Sequence, residues 1–294
     1  VWMQPQAPFS AAGTGAGAIF LRGLFDKVQA VPQIAKRADY KSAADMFMEK
    51  DYTAADREQM NALLQSWYDT ASSGAASSRK LNVKAVMAAF DASPQFSEDA
   101  KAKGLIDKIG YDDDAKDYAL KHGGTKHAVN ITKYVSAMDD ETQPNAHIAL
   151  VTASGEIVDG KSGGGIGGST NIAGDDYANA IRTATKDPQV KAIVLRVDSP
   201  GGSVSASDQI LDAVKKAQAA GKPVVVSMGA VAASGGYYIS ASANKIVAEP
   251  GTITGSIGVL TGKVSFGKSL GLIGVGADEM GVGKNALMGS TISP

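Results

Sequence analysis

Cysteine is absent from this 294-residue chain, which excludes thiol catalysis, cysteine-ligated zinc and disulfides and leaves the redox compartment open. Histidine is nearly absent: the three present, His122, His127 and His147, are the whole supply for a serine–histidine triad. No apolar run approaches the roughly 20 residues of a membrane-spanning helix, and no signal-peptide pattern opens the chain. An excess of either charge is missing too. With 29 Lys+Arg against 30 Asp+Glu, the basic footprint of a nucleic-acid binder is not there. What remains is a chain with 44% hydrophobic residues, enough for a sizeable core and for two domains or one duplicated one.

Taken in order, Val1-Trp2-Met3-Gln4-Pro5 reads as a strand already under way, so the true N-terminus is expected upstream. Residues 45–120 carry helical patterning, with Thr53-Ala54-Ala55-Asp56 as a variant capping box leading into Met60, Leu63, Leu64 and Trp67. Asp112-Asp113-Asp114 is read as the acidic first turn of another helix. Consecutive carboxylates point in different directions there, which argues against a metal cluster. Residues 121–146 are polar and irregular and are expected to be a linker. Strands alternate with helices after His147, which argues for an α/β core. The chain also repeats itself: Val1-Trp2-Met3-Gln4-Pro5 echoes Ile246-Val247-Ala248-Glu249-Pro250, and Phe25-Asp26-Lys27 echoes Phe266-Gly267-Lys268. Carried on without gaps from that second match, Lys41 falls opposite Val282.

Two nucleotide-binding patterns fail on context. The residues from Gly155 to Ser162 fit GxxxxGK[ST], but 156–158 look extended and the glycine run 163–168 cannot open a stable helix. Gly163, Gly165 and Gly168 fit the dinucleotide fingerprint, again without the helix that must follow. A flexible surface loop, a flap beside a substrate, is the expectation for this stretch. Of the histidines, two lie in the expected linker and one at a strand start, so the base available to a serine is a lysine.

The remaining chain is organised around residues 223–259. A β-branched run, Val224-Val225-Val226, leads through small residues to Ser234-Gly235-Gly236, a strand-to-helix turn holding one hydroxyl. Standing alone, Ser234 is more simply a helix cap. Asp198-Ser199-Pro200-Gly201-Gly202-Ser203 is a second sharp turn, whose glycines let the backbone approach a ligand with N–H groups exposed. Set side by side, the Gly202 and Gly235 N–H groups would form an oxyanion hole.

In combination, three motifs closely resemble the signal peptide peptidase A (protease IV) family: Ile193 to Ser203, Ala232-Ala233-Ser234-Gly235-Gly236-Tyr237, and Thr252-Ile253-Thr254-Gly255-Ser256-Ile257-Gly258. Tyr40-Lys41-Ser42-Ala43 resembles the lysine motif of that family's long, duplicated form. The resemblance implies an α/β fold of ClpP/crotonase-like repeats (ββα units) with a helical segment between them. Residues 1–136 would be the late part of the first repeat with the helical region, and 145–294 a second repeat incomplete at its C-terminus. It implies Ser234 as nucleophile, Lys41 as general base, Ser256 as the partner of the lysine amine, and Gly202 and Gly235 as oxyanion donors, with no cofactor and no metal. It further implies peptide substrates, spent signal peptides among them, and a homo-oligomer. The setting would be the outer face of the bacterial inner membrane, with membrane association through a segment absent from this chain. Lys284 is the rival base. A crotonase-type acyl-CoA enzyme and a truncated non-catalytic assembly subunit are the alternative functions. The chemistry makes one demand: a free lysine, with a pKa near 10.4, is neutral in only about one molecule in 2,500 at pH 7, so the base needs a dry site.

Overall fold

The computed structural model describes residues 1–138, 146–162 and 171–294, which divide into two compact units. One comprises Val1–Gly15 and Leu64–Asn145, the other Ala16–Leu63 and Ala146–Pro294. Both are discontinuous in sequence. The glycine run 163–168, and with it the expected flap, lies outside the described residues, as does 139–145 of the expected linker. Among the described residues, no helix is long and apolar enough to cross a membrane.

The first unit is mostly helical. Its helix Val83–Asp91 starts at Asn82, whose side chain accepts from the Lys84 N–H at 2.9 Å. Val86 and Phe90 pack with Ala76, while Ala89 on the same helix packs with Ala100, Leu105 and Ile106. The acidic run opens helix Asp112–Gly123, and Asp114 Oδ2 accepts from the Tyr111 N–H at 2.9 Å. The 121–146 segment departs from expectation, for it contains helix Ile131–Met138. Asn130 Oδ1 accepts from the Thr132 N–H at 2.8 Å and starts that helix. Ile131, Tyr134, Val135 and Met138 stand at helical spacing in the sequence, a period masked by polar flanks.

The second unit is α/β. It begins with helix α1 (Arg22–Lys27), strand β1 (Val31–Lys36), a 3₁₀ turn (Ser42–Ala44), helix α2 (Asp45–Met48) and the head of the long helix α3 (Ala54–Arg79). It resumes with β2 (His147–Ser154), β3 (Glu156–Val158), β4 (Asn171–Ala173), α4 (Gly174–Lys186), β5 (Val190–Ser199) and α5 (Val204–Ala219). Then come β6 (Val224–Ala233), α6 (Gly235–Ser240), β7 (Lys245–Val247), β8 (Ile253–Gly255) and β9 (Leu260–Ser265). The main sheet runs β7-β6-β5-β2, all parallel, as the expected α/β, ClpP/crotonase-like architecture requires. β6 changes neighbour along its length. Val225–Ser227 pair with β7, and Val231–Ala233 pair with β8. β3 pairs with β4, and β1 runs antiparallel to β9.

Period-two burial builds the core. Ile193, Leu195 and Val197 of β5 and Val224 and Val226 of β6 are fully buried, against Tyr177, Ala178 and Ile181 of α4 and Ile210 and Val214 of α5. The two helices touch at Gly174, where a Cβ would lie 2.8 Å from Ala206 Cβ. β3 occupies the middle of the GxxxxGK[ST] match, and Ser162 bonds Asp176 through both its N–H and its hydroxyl (2.8 and 2.7 Å). The stretch that a phosphate loop would need as its turn is strand, and the serine it would need is already bonded to a carboxylate.

Candidate active site

Every residue singled out as catalytic or as an oxyanion donor lies in the α/β unit, where strand ends converge. Ser234 follows the last residue of β6 and precedes α6. Its backbone has φ 51° and ψ −115°, and its hydroxyl makes no capping hydrogen bond. The helix-cap reading of this serine therefore fails. A non-glycine residue in this region stores on the order of 1–3 kcal/mol, which the surrounding packing must hold. Glycine relieves that strain and alanine does not. Ser234→Gly should therefore unfold at higher denaturant than Ser234→Ala, by about 1 kcal/mol; equal midpoints in urea titration would mean the turn is unstrained.

The Pro200-Gly201-Gly202 turn lies against this serine. A Cβ on Gly201 would sit 2.6 Å from Gly235 N and 2.7 Å from Ser234 Cβ, so only glycine permits the approach. Gly202 bridges to Ile157 of β3 in parallel fashion: Ile157 N–H donates to Gly201 O and Ser203 N–H donates to Ile157 O, both at 2.8 Å. That pattern turns the Gly202 N–H away from β3. The Gly235 N–H opens α6, where no intrahelical acceptor exists. Both glycines and Ser234 line one cavity of about 320 Å³, walled by Val204, Tyr237, Tyr238 and Ile257 and holding no histidine.

Lys41 reaches the same neighbourhood from the early part of the chain. It sits just before the 3₁₀ turn and is only 6% exposed. Its Nζ donates to Ser256 O at 2.6 Å and to Ser256 Oγ at 3.0 Å. Ser256, at φ 46°, follows Gly255, whose carbonyl accepts from the Ser234 N–H at 2.9 Å. Gly258, two residues on, lines the Ser234 cavity, and a Cβ there would lie 3.8 Å from Lys41 Cγ. One short turn thus touches both the lysine and the serine. Burial pushes the Lys41 amine below its ordinary lysine range. Lys284, the rival, is exposed and lines a separate groove with Asn285 and Met288.

Read in sequence, the profile of Peptidase family S49 matches residues 1–126 and 216–294. The chain belongs to peptidase family S49. A Clp protease profile matches residues 172–251, which hold both glycine turns and β5 and β6. Among curated S49-like relatives, Protease 4 of Salmonella typhi is 37% identical over 95% of this chain and 46% of its own length. Protease 4 of Haemophilus influenzae is 35% identical over 88% of this chain and 44% of its own length. Serine protease SPPA, chloroplastic, of Arabidopsis thaliana is 33% identical over 99% of this chain and 44% of its own length. This chain therefore spans under half the length of the relatives it matches.

Three supporting residues escaped the sequence reading. Ile157, fully buried, holds the Gly202 turn through its backbone; 156–158 read as extended, but nothing local tied them to that turn. Ser207 Oγ lies 2.6 Å from where a Gly235 Cβ would stand, so it packs directly under that turn. Gln59, on the face of α3 that meets the lysine turn, donates to Ser42 Oγ at 2.8 Å, and no local pattern announces such a long-range bond.

Proposed function

We propose that this S49 chain is a serine endopeptidase working through a serine–lysine pair. The observation that carries the reading is the Lys41 amine: buried, lowered in pKa, and bonded to Ser256 in the turn whose Gly255 carbonyl holds the Ser234 backbone. A neutral amine has two N–H donors and one lone pair. With both donors given to Ser256 O and Oγ, the lone pair is left to take a proton from Ser234.

In the first step Ser234 Oγ attacks the peptide carbonyl carbon while its proton passes to Lys41 Nζ. The oxyanion is held by the Gly202 and Gly235 N–H groups. Collapse breaks the C–N bond, and the Lys41 ammonium returns the proton to the departing amine. Water then attacks the Ser234 ester, again losing a proton to Lys41, and releases the acid. The apolar walls of the 320 Å³ cavity favour small or apolar side chains at the cut. The Protease 4 and SPPA relatives support protein or peptide substrates, and a putative signal peptide peptidase SppA of Enterococcus faecium, 32% identical over 46% of this chain, supports spent signal peptides among them. Spent signal peptides as substrates would put the site of action at the outer face of the bacterial inner membrane, and the Clp protease match supports a homo-oligomer. Residues 1–136 and 145–294 serve as parts of two repeats that join at this site.

A fluorophosphonate probe tests the reading. It should label the full-length protein at Ser234, and Ser234→Ala should abolish labelling. A crotonase-type enzyme, which uses the oxyanion hole without a nucleophile, would stay unlabelled, as would a non-catalytic assembly subunit.

A further inference from the structure

The lysine turn is gripped from one side by the head of α3. Gln59 Nε2 has two hydrogens and both are used: one bonds Ser42 Oγ at 2.8 Å, the other Asp56 Oδ1 at 2.9 Å. Asp56 is 6% exposed, and its own N–H donates to Thr53 Oγ1 at 3.2 Å, so the carboxylate that orients Gln59 is fixed at the helix start. Ser42 is the residue after Lys41 and the first of the 3₁₀ turn. On the other side of the lysine, Tyr40 donates from its hydroxyl to Glu58 Oε2 at 2.8 Å. The residues flanking Lys41 are thus tied to successive positions of one helix. Of the two ties, the Gln59 link is half-buried and the Tyr40 link is exposed, so water competes with the second and much less with the first.

We propose that Gln59 is a positioning residue for the general base, holding the Lys41 turn in register through Ser42 while Asp56 holds Gln59. Lys41 reaches Ser256 from a loop between β1 and α2, and a loop needs such outside support to place an amine within a fraction of an ångström. The inference rests on the serine–lysine reading above. It adds the part of the machinery that sets where the amine stands.

The test compares kcat and KM of the full-length protein on a fluorogenic peptide with alanine or leucine at the cut. Gln59→Met keeps the length of the side chain and removes both donors. Ser42→Ala removes the acceptor, and Ser42→Thr keeps it. Gln59→Met and Ser42→Ala should each lower kcat about 10-fold, well short of the roughly 100-fold that a 1 Å misplacement can cost, with KM unchanged. Ser42→Thr should retain the parent kcat. The double variant Gln59→Met/Ser42→Ala should fall no further than either single, because both remove one link. Parent kcat in Gln59→Met, or additive losses in the double variant, would overturn the proposal. If Gln59→Met fails to fold, the contrast of Ser42→Ala with Ser42→Thr decides, equal kcat in the two going against it. A Lys41→Met arm separates the two levels. Inert Lys41→Met beside fully active Gln59→Met removes only the positioning role, whereas active Lys41→Met removes the base assignment and this inference with it.

Discussion

Lys41→Met is expected to cost roughly 10⁴- to 10⁶-fold in kcat/KM, the range over which one member of a nucleophile–base unit acts when removed. Methionine fills nearly the same volume without an amine, so the site stays packed while the proton acceptor disappears. Because the serine and the lysine work as a unit, the double variant Lys41→Met/Ser234→Ala should be no slower than the worse single. The pH dependence carries the same signature. Activity needs the neutral amine, so kcat/KM of the parent should rise with pH through the folded-state pKa of Lys41, which burial places below the ordinary lysine range. The stability linkage has a fixed sign. A lysine whose pKa is lower folded than unfolded leaves the folded state with fewer bound protons across that window, so stability grows as pH rises and is lost as pH falls through the folded value. Methionine removes the cost of burying the ammonium. The oxygens of exposed Ser256 can pair with water once the amine is gone, so the unfolding midpoint at pH 7 should match or exceed the parent's. Full activity in Lys41→Met, or a pH profile still rising at an ordinary lysine pKa, would remove the base assignment.

What the sequence disclosed and what it hid divide along a physical line. The β-branched runs at 193–197 and 224–226, the amphipathic helix after Ser203 and the glycine turns all write their structure locally, and each lies within a few residues of where it was expected. Ser234 was legible as a residue but not as a conformation. Its φ of 51° is imposed by β8 and the Gly201 contact, which lie far from it in sequence. The Lys41–Ser256 pairing spans 215 positions and has no local signal at all; only the family motif pointed to it. The 131–138 helix shows the reverse failure. Its apolar period was present, and the surrounding polar composition outweighed it.

Gly202→Ala is the second large effect. At φ 149°, Gly202 stands where a Cβ would lie 2.0 Å from Ile157 O and 2.8 Å from Ile157 N and C. Those are backbone atoms of a fully buried residue, so no side chain can swing aside. Either β3 or the turn must move. Movement breaks the Ile157–Gly201 and Ser203–Ile157 hydrogen bonds, each worth about 1 kcal/mol net, and carries the Gly202 N–H off its aim. Loss of one oxyanion donor typically costs about 100- to 1,000-fold, so kcat and the fluorophosphonate labelling rate should fall together by that factor. Backbone strain alone would not do this, and Gly221→Ala separates the two. Gly221 also has positive φ, 82°, but a Cβ there meets nothing within 4 Å. Gly221→Ala should therefore lower stability by about 1 kcal/mol and leave labelling at the parent rate. If Gly202→Ala behaves like Gly221→Ala, losing stability but labelling normally, the oxyanion is held by other donors and the role given to the Pro200-Gly201-Gly202 turn is wrong.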